Sequence, residues 1–222
     1  MKRLRLPIYA LAFGLILTSC QNTETTKTSE KTEVAEKSEK ATIYTLNTSD
    51  SHIEWEGAKP AGKHYGKLSF KEGEISVNGK TLEAGNFKID MASITVEDLE
   101  GDDKNDLEMH LKGTAEGKED HFFDIKNHPT ANFEITKVSK TESGHKINGN
   151  LTIKGVTKNI SFPADLSFGN DEKTLKLATN EEVVIDRTEW GINFMSKSIM
   201  DDVKDKFIND EIKIKFVLKA EK

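Results

Sequence analysis

Residues 158–168 read Lys-Asn-Ile-Ser-Phe-Pro-Ala-Asp-Leu-Ser-Phe, and their alternation decides the fold class. Ile160, Phe162, Ala164, Leu166 and Phe168 fall on one face of an extended chain, with Asn159, Ser161, Asp165 and Ser167 on the other. Successive strand side chains point to opposite faces, so a period of two describes a strand with one dry side and one wet side. Pro163 interrupts the run without breaking its parity. A proline brings no N–H to a ladder, which places Pro163 at a bulge or a seam.

The same period recurs on both sides of this stretch. Within 145–154, Ile147, Gly149, Leu151 and Ile153 oppose Lys146, Asn148, Asn150, Thr152 and Lys154. Near the C-terminus, Ile212, Ile214, Phe216 and Leu218 oppose Lys213, Lys215 and Lys219. Less regular alternation covers 42–57, 63–70, 73–78, 84–91, 131–138 and 174–186. Turn signals separate the runs at Glu72-Gly73, Asn78-Gly79, Ser143-Gly144 and Gly169-Asn170-Asp171. One-faced alternation belongs to antiparallel sheets, and eight or nine such strands imply either a sandwich or a closed barrel. One helix is expected within 102–116, capped by Asn105 with Glu108 as capping-box partner and ended by Gly113. Leu107, His110, Leu111 and Thr114 would share a face, either closing a barrel end or packing outside it.

The first fifth of the chain has a different composition. Residues 1–5 carry three positive charges, 6–17 are uncharged, and Leu17-Thr18-Ser19-Cys20 follows. Twelve apolar residues are too short to span a bilayer, which takes about 20. The arrangement describes a secretory leader, and Leu-Thr-Ser-Cys resembles the lipobox of bacterial lipoproteins. That resemblance implies removal of residues 1–19 and acylation of Cys20, the one cysteine of the chain. With no second cysteine, an internal disulfide and a Cys-rich metal site are excluded. Sixteen of residues 21–41 are Thr, Ser, Glu or Lys, so 20–41 is expected to be an acylated, flexible tether of about 25 Å. The domain is then 42–222. Without the leader, 29 basic side chains face 38 acidic ones, which argues against nucleic acid as a partner.

Seven phrases in order carry a further resemblance. They are Gly-Lys-His-Tyr-Gly-Lys-Leu-Ser-Phe (62–70), Gly-Asn-Phe-Lys-Ile-Asp-Met-Ala-Ser-Ile (85–94), Leu107 to Leu111, and Asp120-His121-Phe122-Phe123-Asp124. Pro129 to Phe133, the phrase Gly-Asn-Leu-Thr-Ile-Lys-Gly-Val-Thr-Lys (149–158), and Ile185 to Ile192 complete the set. Together they resemble the YceI-like family across 42–222. The resemblance implies an all-β fold, an extended, lipocalin-like antiparallel β-barrel, and the helix read within 102–116 then stands as a short helix near one barrel end. It also implies a lumen that takes a long-chain amphiphile, typically a polyisoprenoid. Trp55, Phe70, Phe87, Phe133, Ile147, Phe162, Phe168 and Ile185 are the expected lipid-binding wall, with a filled core as the alternative. The lipobox departs from the family's simplest members and puts free diffusion in doubt.

Other candidate chemistry is weaker. With Ile185 pointing inward, Arg187 would also point inward beside Trp190, either holding a head group or acting as a structural clamp. His110, His121 and Asp124 lack metal-site spacing, so no metal and no cofactor are expected. No Gly-x-Ser-x-Gly or phosphate loop is present, and the acidic run Glu97-Asp98…Asp102-Asp103 reads as a solvated loop. The resulting expectation is a non-enzymatic lipid-binding protein of the bacterial envelope, held by Cys20 to a membrane, with the outer membrane as the expected site. The alternatives are an enzyme for a lipid-like substrate, using His110, His121 or Asp186, and a filled barrel serving as a surface interaction protein. The ligand's identity and the oligomeric state stay open.

Overall fold

The computed structural model describes residues 24–199 and 206–222; the leader 1–19 and Cys20 lie outside the described residues. The strands are β1 (Thr42–Leu46), β2 (His52–Lys59), β3 (Gly62–Asn78), β4 (Thr81–Val96), β5 (Thr130–Thr141) and β6 (Gly144–Ile153). They continue with β7 (Val156–Phe168), β8 (Thr174–Thr179), β9 (Val183–Asp186) and β10 (Glu211–Glu221). A helix, α1 (Gly101–Lys112), separates β4 from β5, and a 3-10 turn, Arg187–Trp190, follows β9.

Every strand pairing is antiparallel. The order β10-β2-β3-β4-β5-β6-β7-β8 returns on itself, because β8 pairs with β10 along Val217–Ala178 to Glu221–Thr174. The sheet is therefore a closed ring, which resolves the choice between sandwich and barrel. Closure leaves one inner face for all the alternating apolar residues.

Three sequence readings change. The Glu72-Gly73 turn is a register shift within one strand of 17 residues, between Phe70 and Glu72. The 42–57 and 174–186 runs each divide, into β1 with β2 and β8 with β9. The helix starts at Gly101 with Glu100 at its N-cap and no side-chain cap, so Asn105 and Glu108 form no capping box. The Glu108 carboxylate instead accepts the backbone N–H of Val96, tying α1 to the end of β4. Gly113 ends the helix at φ 70°, a left-handed value that glycine adopts without steric cost.

The two ends of the barrel differ. At one end lie the 60–61 turn, α1, the 113–129 loop, the 154–155 turn, the 3-10 turn with residues 191–199, and residues 206–210. At the other lie the 79–80, 142–143 and 169–173 turns. This second end is sealed: Tyr44, Leu46, Val77 and Leu82 are buried, and the Tyr44 hydroxyl donates to the Glu172 carbonyl at 2.7 Å.

Residues 24–41, expected as a flexible tether, are instead docked as a strap on the outside of the barrel. Thr26 N–H donates to Val184 O, Ser29 exchanges both backbone bonds with Asn159, and Ala35 N–H donates to Ile135 O. Ser38 N–H and its hydroxyl donate to the Glu83 carboxylate at 2.8 and 3.1 Å. The reason lies in β7. Its pairing with β8 covers only Ala164 to Phe168, so upstream of Pro163 that edge of β7 has open backbone groups. Pro163 sits at this seam, still paired with Lys146 of β6. Buried or half-buried backbone groups need partners, and Ser29 supplies those of Asn159.

Candidate functional site

The inner face encloses a cavity of about 420 Å³. Clefts of roughly 300–1,000 Å³ are the usual size for a small-molecule site. Its walls are almost wholly apolar, and its outer rim carries the exposed Lys59 and Lys206. Both rim residues belong to the end that holds α1, which makes that end the mouth.

A row of phenylalanines from five strands crosses the interior. Phe70 meets Phe87 edge-on at 6.3 Å, Phe87 stacks on Phe133 at 6.4 Å, and Phe133 contacts Phe162 at 5.5 Å. Phe162 then meets Phe216 edge-on at 5.4 Å. Such geometries hold aromatic side chains in fixed relative positions. The glycine of the 145–154 alternation is part of this arrangement. A Cβ on Gly149 would collide with the Phe133 ring, so glycine there leaves the space that Phe133 occupies.

Seven of the eight wall residues expected from the sequence line the cavity: Trp55, Phe70, Phe87, Phe133, Ile147, Phe162 and Ile185. Trp55 donates its ring N–H to Thr95 O at 3.2 Å, which satisfies its polar atom and leaves the ring as apolar wall. Phe168 is the exception. It packs edge-on against Tyr44 at 6.3 Å, toward the sealed end, and lines no part of the cavity. Its parity was right, but parity carries no information on depth along the barrel.

Sequence reasoning missed a second set. Met91 and Ile94 on β4, Phe122 on the 113–129 loop, and Ile208 beside β10 also line the cavity. For β4 the signal was present, since Phe87, Ile89 and Met91 continue the alternation. For Phe122 and Ile208, which sit outside strands, no period exists to find them.

The helix alternatives resolve toward closing the barrel: Leu107, His110 and Leu111 all face the cavity. His110 Nε2 lies 2.8 Å from His121 Nδ1, and the His121 ring stacks on Phe194 at 3.8 Å. Phe122 and Phe194 both meet His110 edge-on at 5.1 Å. Burial, with the nearby charges of Lys118 and His121, pushes the His110 pKa down to about 4. At neutral pH this side chain is an uncharged part of the wall. Farther out, His64 Nδ1 lies 2.8 Å from Asp98 Oδ2, and Asp98 Oδ1 accepts the Tyr65 N–H at 3.0 Å. Burial works against the Asp98 carboxylate, but those hydrogen bonds and the charge of His64 outweigh it and hold its pKa below the ordinary value.

Arg187 points inward, as its parity required, and is 1% exposed. Its Nε donates to Asn209 O at 3.1 Å, Nη1 to Ile192 O at 2.6 Å and Nη2 to Ile208 O at 3.0 Å. Asp210 Oδ1 lies 3.5 Å from Nη2. These bonds engage the guanidinium with the segment between the 3-10 turn and β10, so the geometry is that of a clamp. Trp190 is fully buried, donates to Leu151 O at 3.0 Å and is not part of the cavity wall. Asp186 accepts from the Thr188 N–H and hydroxyl, capping the 3-10 turn. Among the described residues, no group of three or more His, Cys, Asp or Glu side chains converges on a point.

The YceI-like domain family matches residues 44–220. A UPF0312 protein of Yersinia pestis (strain Pestoides F) is 31% identical over 110 residues, 48% of this chain and 51% of the relative. A UPF0312 protein of Pseudomonas paraeruginosa matches with the same identity and coverage. The match thus spans about half the length of these relatives. Among solved structures, Burkholderia cenocepacia BcnA superposes with a TM-score of 0.60 at 21% identity, covering 79% of this chain and 99% of that one. A polyisoprenoid binding domain from Saccharophagus degradans superposes with a TM-score of 0.55 at 12% identity, covering 85% and 99%. At these identities the likeness is one of fold.

Proposed function

This chain belongs to the YceI-like family, and on that premise we propose that it binds one long-chain, polyisoprenoid-like lipid in its barrel and acts by holding it. The observation that carries the reading is the cavity of about 420 Å³, walled by the phenylalanine row and open at the α1 end. Each apolar methylene moved from water into such a wall contributes about 0.8 kcal/mol, so ten contribute about 8 kcal/mol. That is enough to offset an association cost of roughly the same order. A chain-like ligand fits better than a compact polar one, because the deep wall offers no free polar group and Arg187 is engaged by carbonyls. The fold shared with a polyisoprenoid binding domain supports the same choice.

The proposal includes the address. Cys20 follows Leu-Thr-Ser after a basic and then apolar leader, and its acylation would hold the barrel at a membrane of the envelope, taken here as the outer membrane. Two or more acyl chains make such attachment lasting. Function then means storage, sequestration or delivery of a lipid beside a bilayer, with binding in place of turnover.

The test is native mass spectrometry of the full lipoprotein, released in mild detergent and incubated with a polyprenol, an isoprenoid quinone or a long-chain fatty amide. One adduct per chain is expected. Phe162→Asp places a charge on the apolar wall and should remove the adduct while a β-rich circular dichroism spectrum persists. Failure of the unmodified chain to take up any of the three lipids would overturn the reading.

A further inference from the structure

The strap has a direction. Its contacts step from Thr26 at β9, through Ser29 at β7, to Ala35 at β5 and Ser38 at β4. Val184 pairs with Lys213 in the first turn-proximal part of β10, next to the mouth. Glu83 belongs to the start of β4, by the sealed end. Traced backwards, the chain therefore crosses the barrel from the sealed end to the mouth before it reaches Thr26. Only six Cα-to-Cα steps separate Thr26 from Cys20. Fully extended, they span at most about 20 Å. By contrast β10 runs on from Lys213, the partner of Val184, to Glu221 by the sealed end, a further eight residues or about 27 Å of strand. An anchor at Cys20 can thus lie near the mouth and cannot reach past the sealed end while the strap is docked.

A second observation is independent of the strap. Six large hydrophobic side chains are exposed among the described residues, and four of them are at the mouth end. Tyr65 is near the start of β3, Met109 is on α1, Val156 opens β7, and Ile199 lies between the 3-10 turn and β10; all are 37% to 51% exposed. The other two are Val34 on the strap and Ile43 near the sealed end. Single exposed apolar residues are ordinary, but four of them at the end that carries a lipid-sized opening match an interfacial contact. The exposed Lys59 and Lys206 share that rim, while Asp102, Asp103 and Asp106 of α1 are exposed at the same end. The mixed charge suits a zwitterionic surface better than an anionic one.

We propose that the mouth end is a bilayer-docking surface, and that the strap holds the opening of the cavity against the membrane in which Cys20 is anchored. The ligand then moves between bilayer and lumen without crossing water. This rests on the proposed acylation of Cys20, and the experiment separates the two. Acylation leaves the chain without a free thiol, so an introduced cysteine is the single labelling site. Met109→Cys, Tyr65→Cys and, at the sealed end, Asn170→Cys are each labelled with bimane on the full lipoprotein. Each is reconstituted in phosphatidylcholine vesicles containing bromolipid quencher. The expected result is flotation with the vesicles and several-fold stronger quenching at 109 and 65 than at 170. Combined replacement Asn150→Ala and Asn159→Ala, which loosens the strap, should keep flotation and shrink the contrast. Flotation with equal quenching, or with stronger quenching at 170, overturns the orientation and leaves the anchor standing. Absence of flotation overturns the anchor and the orientation with it.

Discussion

The inner and outer faces of the barrel are written by the same alternation, yet on each a buried polar side chain stands out against the plan of a dry inside and a wet outside. On the inside it is Arg187, which opens the 3-10 turn after β9 and donates to three backbone carbonyls. On the outside it is Asn150, fully buried on what should be a wet face. Its side-chain oxygen accepts Thr32 N–H at 3.1 Å and its amide donates to Thr32 O at 2.7 Å. Asn159 Nδ2 lies 3.0 Å from Asn150 Oδ1, Thr32 Oγ1 and Thr136 Oγ1. The inner exception holds a mouth segment to the barrel, and the outer one holds the strap. Both are polar because each meets a length of chain with no strand partner, whose backbone groups need bonds of their own. A buried polar group on a barrel wall thus marks where irregular chain has been fastened.

Breaking the inner fastening should have the largest effect. Arg187→Met fills similar volume but leaves the carbonyls of Ile192, Ile208 and Asn209 without their donor. Losing one partner of a buried charged cluster costs about 3–5 kcal/mol, and unsatisfied carbonyls add to it. The expected outcome is a large drop in the urea midpoint, with faster amide exchange in the described part of 191–210. A midpoint within experimental error of the unmodified chain would mean that the segment is held by packing alone.

The inner wall can next be stressed where it carries no polar group. Gly149→Val drives a side chain into the Phe133 ring. Overpacking costs typically about 1–3 kcal/mol, and here it also displaces a member of the phenylalanine row. Lower denaturant stability together with weaker lipid uptake is expected. If stability falls and uptake does not, the row is a core and the ligand sits nearer the mouth.

Asn150→Ala sharpens the comparison from outside. It removes two bonds to Thr32 and leaves a small void beneath the strap, costing about 1–2 kcal/mol. Because the strap is peripheral, the effect should show locally. Protease cleavage within 24–41 should accelerate several-fold while the cavity keeps its affinity for lipid. Parallel loss of affinity would show that the strap also shapes the lumen.

The same contrast explains what could be seen in the sequence. Period two made β6, β7 and β10 legible residue by residue, and with them the part of the cavity wall that those three strands supply. The order of phrases supplied closure, and the Gly113 stop with the face of Leu107, His110 and Leu111 supplied the helix. Beyond the helix cap, the divided runs and the loop residues of the cavity wall, three readings escaped. Phe168 was assigned to the wall because alternation gives the side of a strand and not its depth. Glu72-Gly73 looked like a turn because a bulge in a long strand uses the same residue types. Residues 24–41 looked like a tether because their composition cannot build a core, and docking on an existing barrel needs none. Thr26, Ser29, Thr32, Ala35 and Ser38 do repeat every third residue. That spacing became meaningful only beside the row of strands it crosses.

The smallest expected effect is the pH response of the mouth, where inner wall and irregular chain meet. His110 is held near a pKa of about 4, well below its ordinary value of 6.5, chiefly by burial among Phe122, Phe194 and its neighbours on α1. The unfolded chain therefore binds more protons than the folded one between these two values, and stability rises with pH across that window. Above about 6.5 the contribution is complete; as pH falls toward 4 it is lost, and below 4 it falls no further. Carboxylates such as Asp98, whose pKa is depressed, add their own loss at the acid end. Denaturant midpoints of the unmodified chain and of His110→Leu separate the two contributions. The variant should be flatter between pH 6.5 and 4 and should still lose stability where Asp98 protonates. Identical slopes would mean that the His110–His121 pair opens to water, so that the inner wall ends below α1 and the mouth is wet.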